Sequence, residues 1–301
     1  MKVRVGFGFG VRTRLNDDGF GDVVDALEDL GFDSLWLSER IGGEAPDPLV
    51  GMSFAAGRTR KLKFGMSVMV LPGRNPVVLA KELATLDRLS SGRLLPAFGL
   101  GVADPHEQQA FGVERGERAR RFDEALAVLR GCWAEGRLTH HGEYFHYEEL
   151  QVLPKPTQQH LDVWLGGIAP SELKRVGRLA DGWLPSFVTP DDAARGREVV
   201  EAVATEHDRT IDPEHFGALI PYSNGPVPDV VLAGLAKRRP DLADPSVLVP
   251  DGWDALMATI DRFVAAGTSK FVVLPLTEPA GPAAWIEHLT AAAPVVLARQ
   301  N

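Results

Sequence analysis

Residues Leu62–Gly101 read LKFGMSVMVLPGRNPVVLAKELATLDRLSSGRLLPAFGLG, and this stretch decides the fold. Its first ten residues, 62–71, are almost all apolar or small, which is typical of a strand buried on both faces of a parallel sheet. After a turn rich in proline and glycine, leucines at helical spacing follow Pro76 and indicate an amphipathic helix. A second apolar run, 94–100, comes directly after that helix. The stretch therefore predicts a strand–helix–strand crossover between parallel strands.

Length and composition indicate an ordinary globular protein with a large core, because 45% of the 301 residues are hydrophobic and 24% are charged. The net charge of -9 and the lack of lysine or arginine runs argue against a nucleic-acid surface. The single cysteine, Cys132, excludes an internal disulfide and a cysteine metal cluster. The sequence shows neither a signal peptide nor a long apolar run, so we expect a cytoplasmic protein that does not enter a membrane.

The alternation of strand and helix patterns continues along the chain. Strands are predicted at 3–9, 34–38, 62–71, 94–100, 162–166, 182–187, 216–222 and 271–276. Eight strand-then-helix steps match the α/β class and a (β/α)8 TIM barrel with insertions, as in bacterial luciferase. The alternative is a doubly wound open sheet, which is usually shorter and has a glycine-rich turn leading into the first helix. Here Gly6, Gly8 and Gly10 lie inside or at the end of the first strand, and no helix start follows them.

Two segments depart from this alternation. Residues 137–156 read as a β-hairpin outside the main sheet. Residues 225–250 are rich in proline around one short helix, 229–239, and form an insertion too long for a simple connection. We expect residues 1–301 to form one domain in which the insertion covers the substrate as a lid. An oligomer contact is the alternative role for the insertion.

Functional residues of a TIM barrel lie at the C-terminal ends of its strands. No lysine falls there, which disfavours a Schiff-base aldolase, and no cluster of histidine and carboxylate with metal spacing falls there either. The histidines His140, His141 and His146 belong to the predicted hairpin and are read as solvated. We therefore expect no metal, and a bound organic cofactor that acts on a small-molecule substrate.

The glycine-rich turn after the predicted fifth strand could hold a phosphate group. Gly166 and Gly167 allow close approach of the backbone, and Ile168 and Ala169 carry free N–H groups. The helix that starts at Pro170 directs its positive end to the same point. On these residues alone, an ordinary glycine-rich turn explains the sequence equally well.

Two segments, SVMVLPGRNPVVLAKELATLDRLSSGRL (67–94) and WLGGIAPSELKRVGRLADGWLP (164–185), together resemble the luciferase-like monooxygenase superfamily. They are most similar to its oxidoreductases that use the deazaflavin coenzyme F-420. The resemblance implies a TIM barrel and coenzyme F-420 as cofactor, with FMN as the alternative. Relatives often pair through barrel helices, so it also implies a homodimer.

The resemblance also implies specific cofactor contacts. In the deazaflavin members the residues matching Ser67 and Val68 form a bulge with a non-prolyl cis peptide, which supports the ring of the cofactor. The phosphate would lie on Gly166, Gly167 and Ile168. The other expected cofactor contacts are Gly8, Glu39, Met69, Gly99 and Gly101.

Two positions depart from the sugar-phosphate-oxidising relatives. Those proteins have Asp-His where this chain has Glu39 and Arg40, and an arginine is not a general base at neutral pH. They also have a catalytic Glu after Gly-x-Gly, where this chain has Val102. We therefore do not expect glucose 6-phosphate as substrate. The catalytic candidates are Arg40, His106 and Glu107, with His106 favoured by an intrinsic pKa of about 6.5. A solvated loop is the alternative interpretation of the last two.

Three aromatic residues at strand ends, Trp183, Phe187 and Tyr222, are expected to line the substrate pocket, although core packing also explains them. Three functions remain open. The first is an F-420-dependent oxidoreductase acting on an unidentified small organic substrate. The second is an FMN-dependent monooxygenase that uses oxygen, and the third is a non-catalytic cofactor-binding protein.

Overall fold

The computed structural model describes residues 1–15 and 19–301. Its strands are β1 Arg4–Phe9, β2 Ser34–Leu37, β3 Lys63–Met66, β4 Met69–Val70, β5 Leu94–Leu95, β6 Ala97–Gly99, β7 Leu138–His141, β8 His146–Leu150, β9 Trp164–Leu165, β10 Gly182–Trp183, β11 Gly217–Tyr222 and β12 Lys270–Pro275. Its helices are α1 Gly19–Leu30, α2 Pro48–Arg58, α3 Pro76–Leu89, α4 Pro105–Phe111, α5 Arg118–Trp133, α6 Pro170–Leu179, α7 Pro190–Glu206, α8 Asp229–Arg238, α9 Gly252–Ala265 and α10 Pro282–Val296. Two 3-10 helices span Pro245–Leu248 and Leu297–Arg299. Over these two ranges, no helix has both the length and the apolar character needed to cross a bilayer.

Ten parallel strands close into a barrel. One sheet has the order β11-β12-β1-β2-β3-β5 and the other β10-β9-β6-β4. Since β3 and β4 are two halves of one strand, and β5 and β6 two halves of the next, the barrel has eight strand positions. Parallel bridges from Trp183 to Phe216 and from Ser186 to Leu219 join the sixth position to the seventh. The predicted (β/α)8 barrel is thereby confirmed.

Side chains alternate between the barrel interior and the surrounding helices. Phe7 and Phe9 of β1 point outward and contact Trp285 of α10 edge-on, with ring centroids 6.0 and 5.1 Å apart. The interior is filled by a separate cluster of buried side chains: Trp36, Ala97, Trp164, Leu184, Leu219 and Val272. Above this cluster, toward the C-terminal ends of the strands, the interior positions become small.

Three local predictions need correction. The run 62–71 is two strands, β3 and β4, and the cis peptide bond Ser67–Val68 lies between them. The run 94–100 is also divided, at Pro96, which has no N–H to donate to a neighbouring strand. The segment that was expected to be a loop after 100 contains helix α4, which begins at Pro105 with Asp104 as its N-cap.

Strands β7 and β8 pair antiparallel in a separate two-stranded sheet outside the barrel. Glu124 of α5 accepts hydrogen bonds from the N–H groups of Tyr144 and Phe145 and so holds the turn of this hairpin. The insertion 225–250 carries α8 and packs through a small core of its own against Phe187 and Leu276. It therefore lies on the side where the barrel strands end.

Candidate functional site

Five interior positions at the C-terminal end of the barrel carry almost no side-chain volume. They are Gly8, Gly10, Ser38, Gly99 and Gly166. The isopropyl group of Val68 lies between two of these glycines. A Cβ atom on Gly99 would be 2.5 Å from Val68 Cγ2, and one on Gly166 would be 3.9 Å from Val68 Cγ1. Val68 is thus the apolar floor of the barrel mouth.

The bulge at Ser67 and Val68 is attached to the neighbouring strand. The N–H of Ser67 donates to the Leu37 carbonyl at 2.8 Å, and the hydroxyl of Ser38 lies 3.4 Å from the Ser67 carbonyl. Val68 is only partly buried and presents its side chain to the mouth, as a support for a flat ring requires. Met69 is fully buried in the core outside the barrel. The side chain of Met69 therefore gives no support to the expected cofactor contact, which stays a prediction.

Glu39 points away from the barrel axis, because Trp36 and Ser38 occupy the inward positions of the same strand. Its carboxylate accepts the N–H of Val70 at 2.7 Å and pairs with Arg74, and its side chain is only 4% exposed. Burial raises the pKa of Glu39, while the charge of Arg74 opposes that change. Glu39 thus closes the end of β4 with each of its oxygens bound to a residue of the chain, and the expected cofactor contact stays a prediction.

The glycine-rich turn after β9 binds a carboxylate of the chain itself. The N–H groups of Ile168 and Ala169 both donate to Oε2 of Glu172, each at 3.0 Å. Gly167 has a φ of 93°, which glycine adopts without strain. Its carbonyl accepts the indole N–H of Trp183 at 2.9 Å. The turn therefore presents two convergent donors at a helix N-terminus, and it fits an oxyanion once Glu172 moves aside.

Two of the three aromatic residues expected in the pocket face the helices instead. The ring of Trp183 packs on Gly196 of α7, where a Cβ atom would lie 2.2 Å from the indole. Tyr222 is 0% exposed and stacks on His288 of α10, with its hydroxyl bonded to the imidazole. Neither lines the mouth, so both expectations are wrong. Phe187 is half-buried under the insertion at the end of the sixth barrel strand.

The catalytic candidates lie together beside the mouth. Arg40 is 3.3 Å from Oε1 of Glu107 and 3.5 Å from Asp104. Glu107 is only 7% exposed and also accepts two N–H groups of the loop after β2. His106 is exposed on α4, with its N–H bonded to Asp104 at 2.9 Å. Arg40 and Glu107 thus form an ion pair that fixes the loop, and His106 is left at its edge.

Arg239 links the insertion to the barrel through hydrogen bonds and ion pairs. Arg239 is 3% exposed and donates to the Phe187 carbonyl at 2.7 Å. It also pairs with Asp192 of α7 at 2.9 Å and with Asp241 at 2.6 Å. These four groups hold the C-terminal end of α8 over the loop that follows β10.

The preceding residue, Arg238, has no hydrogen bond or ion pair of this kind with any residue in the described part of the chain. Its guanidinium lies 4.4 Å from the ring centroid of Phe187. Burial, and next the charge of Arg40, lowers the pKa of Arg238. The insertion therefore adds a second cation on the side of the barrel where Arg40 lies, which sequence patterns could not show because the two residues are far apart in the chain.

Glu278 is a further mouth residue that the sequence analysis did not include. It follows the last barrel strand, and its Oε1 accepts the hydroxyl of Thr13 at 2.7 Å. The same oxygen lies 3.2 Å from the point where a Cβ on Gly10 would be. The only signal in the sequence is an acidic residue three positions after β12.

The opposite, N-terminal end of the barrel holds the one grouping of three potential metal ligands found within residues 1–15 and 19–301. His160, Asp162 and Asp181 place ligand atoms within 4.8 Å of one another. However, Asp181 is already paired with Arg130 at 2.5 Å and Arg209 at 3.2 Å. These two arginines already neutralise the carboxylate of Asp181, so we assign no metal to this cluster.

The comparison with known proteins agrees with this geometry. A family model described as luciferase-like monooxygenase matches residues 12–262. The chain therefore belongs to the luciferase-like monooxygenase family. A curated relative, the F-420-dependent glucose-6-phosphate dehydrogenase of Kineococcus radiotolerans, is 32% identical over 173 residues, which cover 54% of this chain and 50% of that protein. The chain thus spans about half the length of such relatives.

Two solved structures show the same fold over nearly the whole chain. An F-420-dependent secondary alcohol dehydrogenase, in complex with an F-420–acetone adduct, is 21% identical with a TM-score of 0.81 and covers 100% of both chains. A monooxygenase from Streptomyces bottropensis is 18% identical with a TM-score of 0.79 and covers 98% of both chains. At these identities the two likenesses establish the fold.

Proposed function

We propose that this protein is an oxidoreductase that binds coenzyme F-420 at the C-terminal mouth of the barrel and acts on a small organic substrate. The observation that carries the proposal is the pair of N–H donors at Ile168 and Ala169, which converge on one oxyanion beside the Val68 floor. The F-420-dependent dehydrogenases among the relatives and structural neighbours support the choice of cofactor.

In this proposal the chain holds the cofactor at two places. The phosphate would bind the turn formed by Gly166, Gly167 and Ile168. The ring would rest on Ser67 and Val68, with Gly8, Gly99 and Gly101 leaving the backbone accessible around it. When bound, the deazaflavin supplies a two-electron hydride acceptor or donor. The protein's part is to orient the substrate against the ring and to exclude water.

The substrate would enter between the ring and the insertion 225–250, which we propose acts as a lid. Arg239 fixes one end of α8, and Arg238 reaches the same side as Arg40. Two arginines near the mouth favour a substrate or cofactor part that carries negative charge. We also propose a homodimer, supported by apolar side chains exposed on α2 and α3: Val50, Phe54, Val78 and Leu89. Light scattering coupled to size-exclusion chromatography tests it, and a 32.6 kDa species would contradict it.

The test is a paired titration of the apo-protein with F-420 and with FMN, followed by fluorescence. We expect tight binding of F-420 alone, and bleaching of F-420 absorbance when alcohols are screened. Gly167→Asp should abolish binding, since it places charge and bulk at the oxyanion position. Gly57→Asp, on an open face of α2, is the matched control and should bind normally. Unchanged affinity in Gly167→Asp would remove the turn from the site.

A second candidate is an FMN-dependent monooxygenase, favoured by the structural likeness to the Streptomyces monooxygenase. It requires preference for FMN in the titration and oxygen consumption with reduced FMN. A non-catalytic cofactor-binding protein would bind F-420 and show no bleaching with any compound in the screen.

A further inference from the structure

The C-terminal end of β12 places a carboxylate on the inner side of the barrel mouth. Oε1 of Glu278 is 3.2 Å from the Cβ position of Gly10, and Leu274 Cδ1 is 3.6 Å from the same point. Leu274 packs against the cluster that fills the barrel interior. Because a side chain at Gly10 would point to the same place, the Glu278 carboxylate lies above the interior and not among the outer helices.

This carboxylate is held by one oxygen only. The hydroxyl of Thr13 donates to Oε1 at 2.7 Å, and Thr13 is itself fully buried, with its N–H bonded to the Gly10 carbonyl at 3.1 Å. Among the residues that the structure describes, no donor contacts Oε2 of Glu278. The carboxyl group is therefore fixed in position and keeps one oxygen available for a ligand.

The surroundings of Glu278 favour its protonated form more than water does. Burial raises the pKa of Glu278, and the negative charge of Glu44 adds to that change. The hydrogen bond from Thr13 and the charge of Arg12 act in the opposite direction. A carboxyl group with a raised pKa both accepts and releases a proton closer to neutral pH.

We infer that Glu278 is the proton-transfer group of this site, and we take a secondary alcohol or ketone, the substrate class named for an F-420-dependent structural neighbour, as its substrate. The inference rests on the proposed function. It also supplies a proton carrier inside the mouth, since Val102 cannot carry a proton, Arg40 is not a base at neutral pH and His106 lies exposed at the edge of the loop. In the alcohol direction, the carbinol C–H bond breaks and its electron pair leaves with the hydrogen as hydride to the deazaflavin. The hydroxyl proton passes to Oε2 of Glu278 and the C=O bond forms. In the ketone direction, the carboxylic acid returns the proton to the carbonyl oxygen.

The test compares wild type and Glu278→Gln in F-420 bleaching with 2-propanol and cyclohexanol, and in oxidation of reduced F-420 with acetone. Glu278→Gln keeps the shape of the side chain and removes its titration. We expect kcat to fall by about 100-fold or more, the typical contribution of a general acid or base. The F-420 dissociation constant should stay within about twofold, since the variant leaves the turn and the floor intact. Glu148→Gln, on the exposed hairpin, is the charge-matched control.

The pH profile separates proton transfer from a structural role. The pH dependence of kcat in the wild type should show one ionisation that is absent from Glu278→Gln. Thr13→Val should move that ionisation to higher pH because it removes a hydrogen bond that stabilises the carboxylate, and Thr13→Ser should restore it. A wild-type rate and profile in Glu278→Gln would overturn the inference and leave the proposed function standing. If wild type bound F-420 but reacted with none of the three compounds, the secondary alcohol or ketone assignment and this inference would both fail. Failure to bind F-420 would overturn the proposed function itself.

Discussion

The backbone N–H of Ile168 donates to Oε2 of Glu172 at 3.0 Å, so a carboxylate of the chain occupies the oxyanion position of the turn after β9. Glu172 lies in the first turn of α6, where a negative charge is favoured by the helix dipole and by the free N–H groups. A cofactor phosphate that uses these donors has to displace that carboxylate. The affinity of the turn for a phosphate is therefore reduced by competition from the Glu172 carboxylate.

Replacing Glu172 with alanine should free the donors. We expect F-420 to bind about fivefold more tightly, equivalent to about 1 kcal/mol of released competition. The same change should lower the free energy of unfolding by about 1 kcal/mol, because the helix loses its N-terminal partner. Fluorescence titration and urea unfolding measure the two effects, with Glu198→Ala on the exposed face of α7 as control. Weaker F-420 binding would mean that Glu172 supports the site and does not compete for it.

Replacing Gly99 with alanine should disturb the floor of the mouth. The new methyl group would lie 2.5 Å from Val68 Cγ2, so Val68 has to move. We expect a loss of about 1–3 kcal/mol in the free energy of unfolding, typical of an overpacked core, together with weaker F-420 binding. Gly57→Ala, in helix α2 with nothing within 4 Å, should be neutral or stabilising. Equal behaviour of the two variants in urea unfolding would refute this role for Val68.

Replacing Arg239 with alanine should release the insertion. It removes a buried guanidinium that binds the Phe187 carbonyl and two aspartates. Breaking such a buried pair costs about 3 kcal/mol, which corresponds to roughly 100-fold less protection from hydrogen exchange in α8. Hydrogen-exchange mass spectrometry of residues 225–250 measures it. Arg238→Ala, which removes a neighbouring arginine without those bonds, should leave the protection unchanged.

The stacked pair of buried Tyr222 and half-buried His288 predicts a dependence of stability on pH. Burial lowers the pKa of His288, so below about pH 6.5 the unfolded chain binds a proton more readily than the native protein. Native stability should therefore be present above that pH and be lost as pH falls toward the native pKa. His288→Gln should show a shallower fall between pH 8 and pH 5 in urea unfolding. His207→Gln, on the surface, should keep the wild-type slope, and coinciding slopes for all three proteins would argue against the assignment.

Local patterns were sufficient for the barrel and for the position of the glycine-rich turn at 166–169. Apolar runs and helical periodicity predict the order of strands and helices, and the predicted helix start at Pro170 is the observed start of α6. The sequence did not show which side chains face the barrel interior and which face the helices, because strands of a parallel barrel are apolar on both faces. For this reason Glu39, Met69 and Tyr222 were expected at the mouth, although they point to the outer layer.

Sequence patterns also could not predict contacts between residues that are far apart in the chain. Glu278 and Thr13 are 265 positions apart, and their hydrogen bond depends on barrel closure between β12 and β1. Arg238 reaches the mouth only because the insertion folds back over the loop after β10. Neither residue lies in a motif, and each was found only from the contacts of the folded chain.

The buried indole of Trp183 connects the oxyanion turn with helix α7 of the outer layer. Its N–H holds the Gly167 carbonyl, while its ring fills the space beside Gly196 of α7. Any ligand or neighbouring protein that shifted α7 would thus tilt the indole and reorient the peptide groups of the turn. A displacement of α7 would therefore change the affinity of the turn for a cofactor without any contact at the mouth of the barrel.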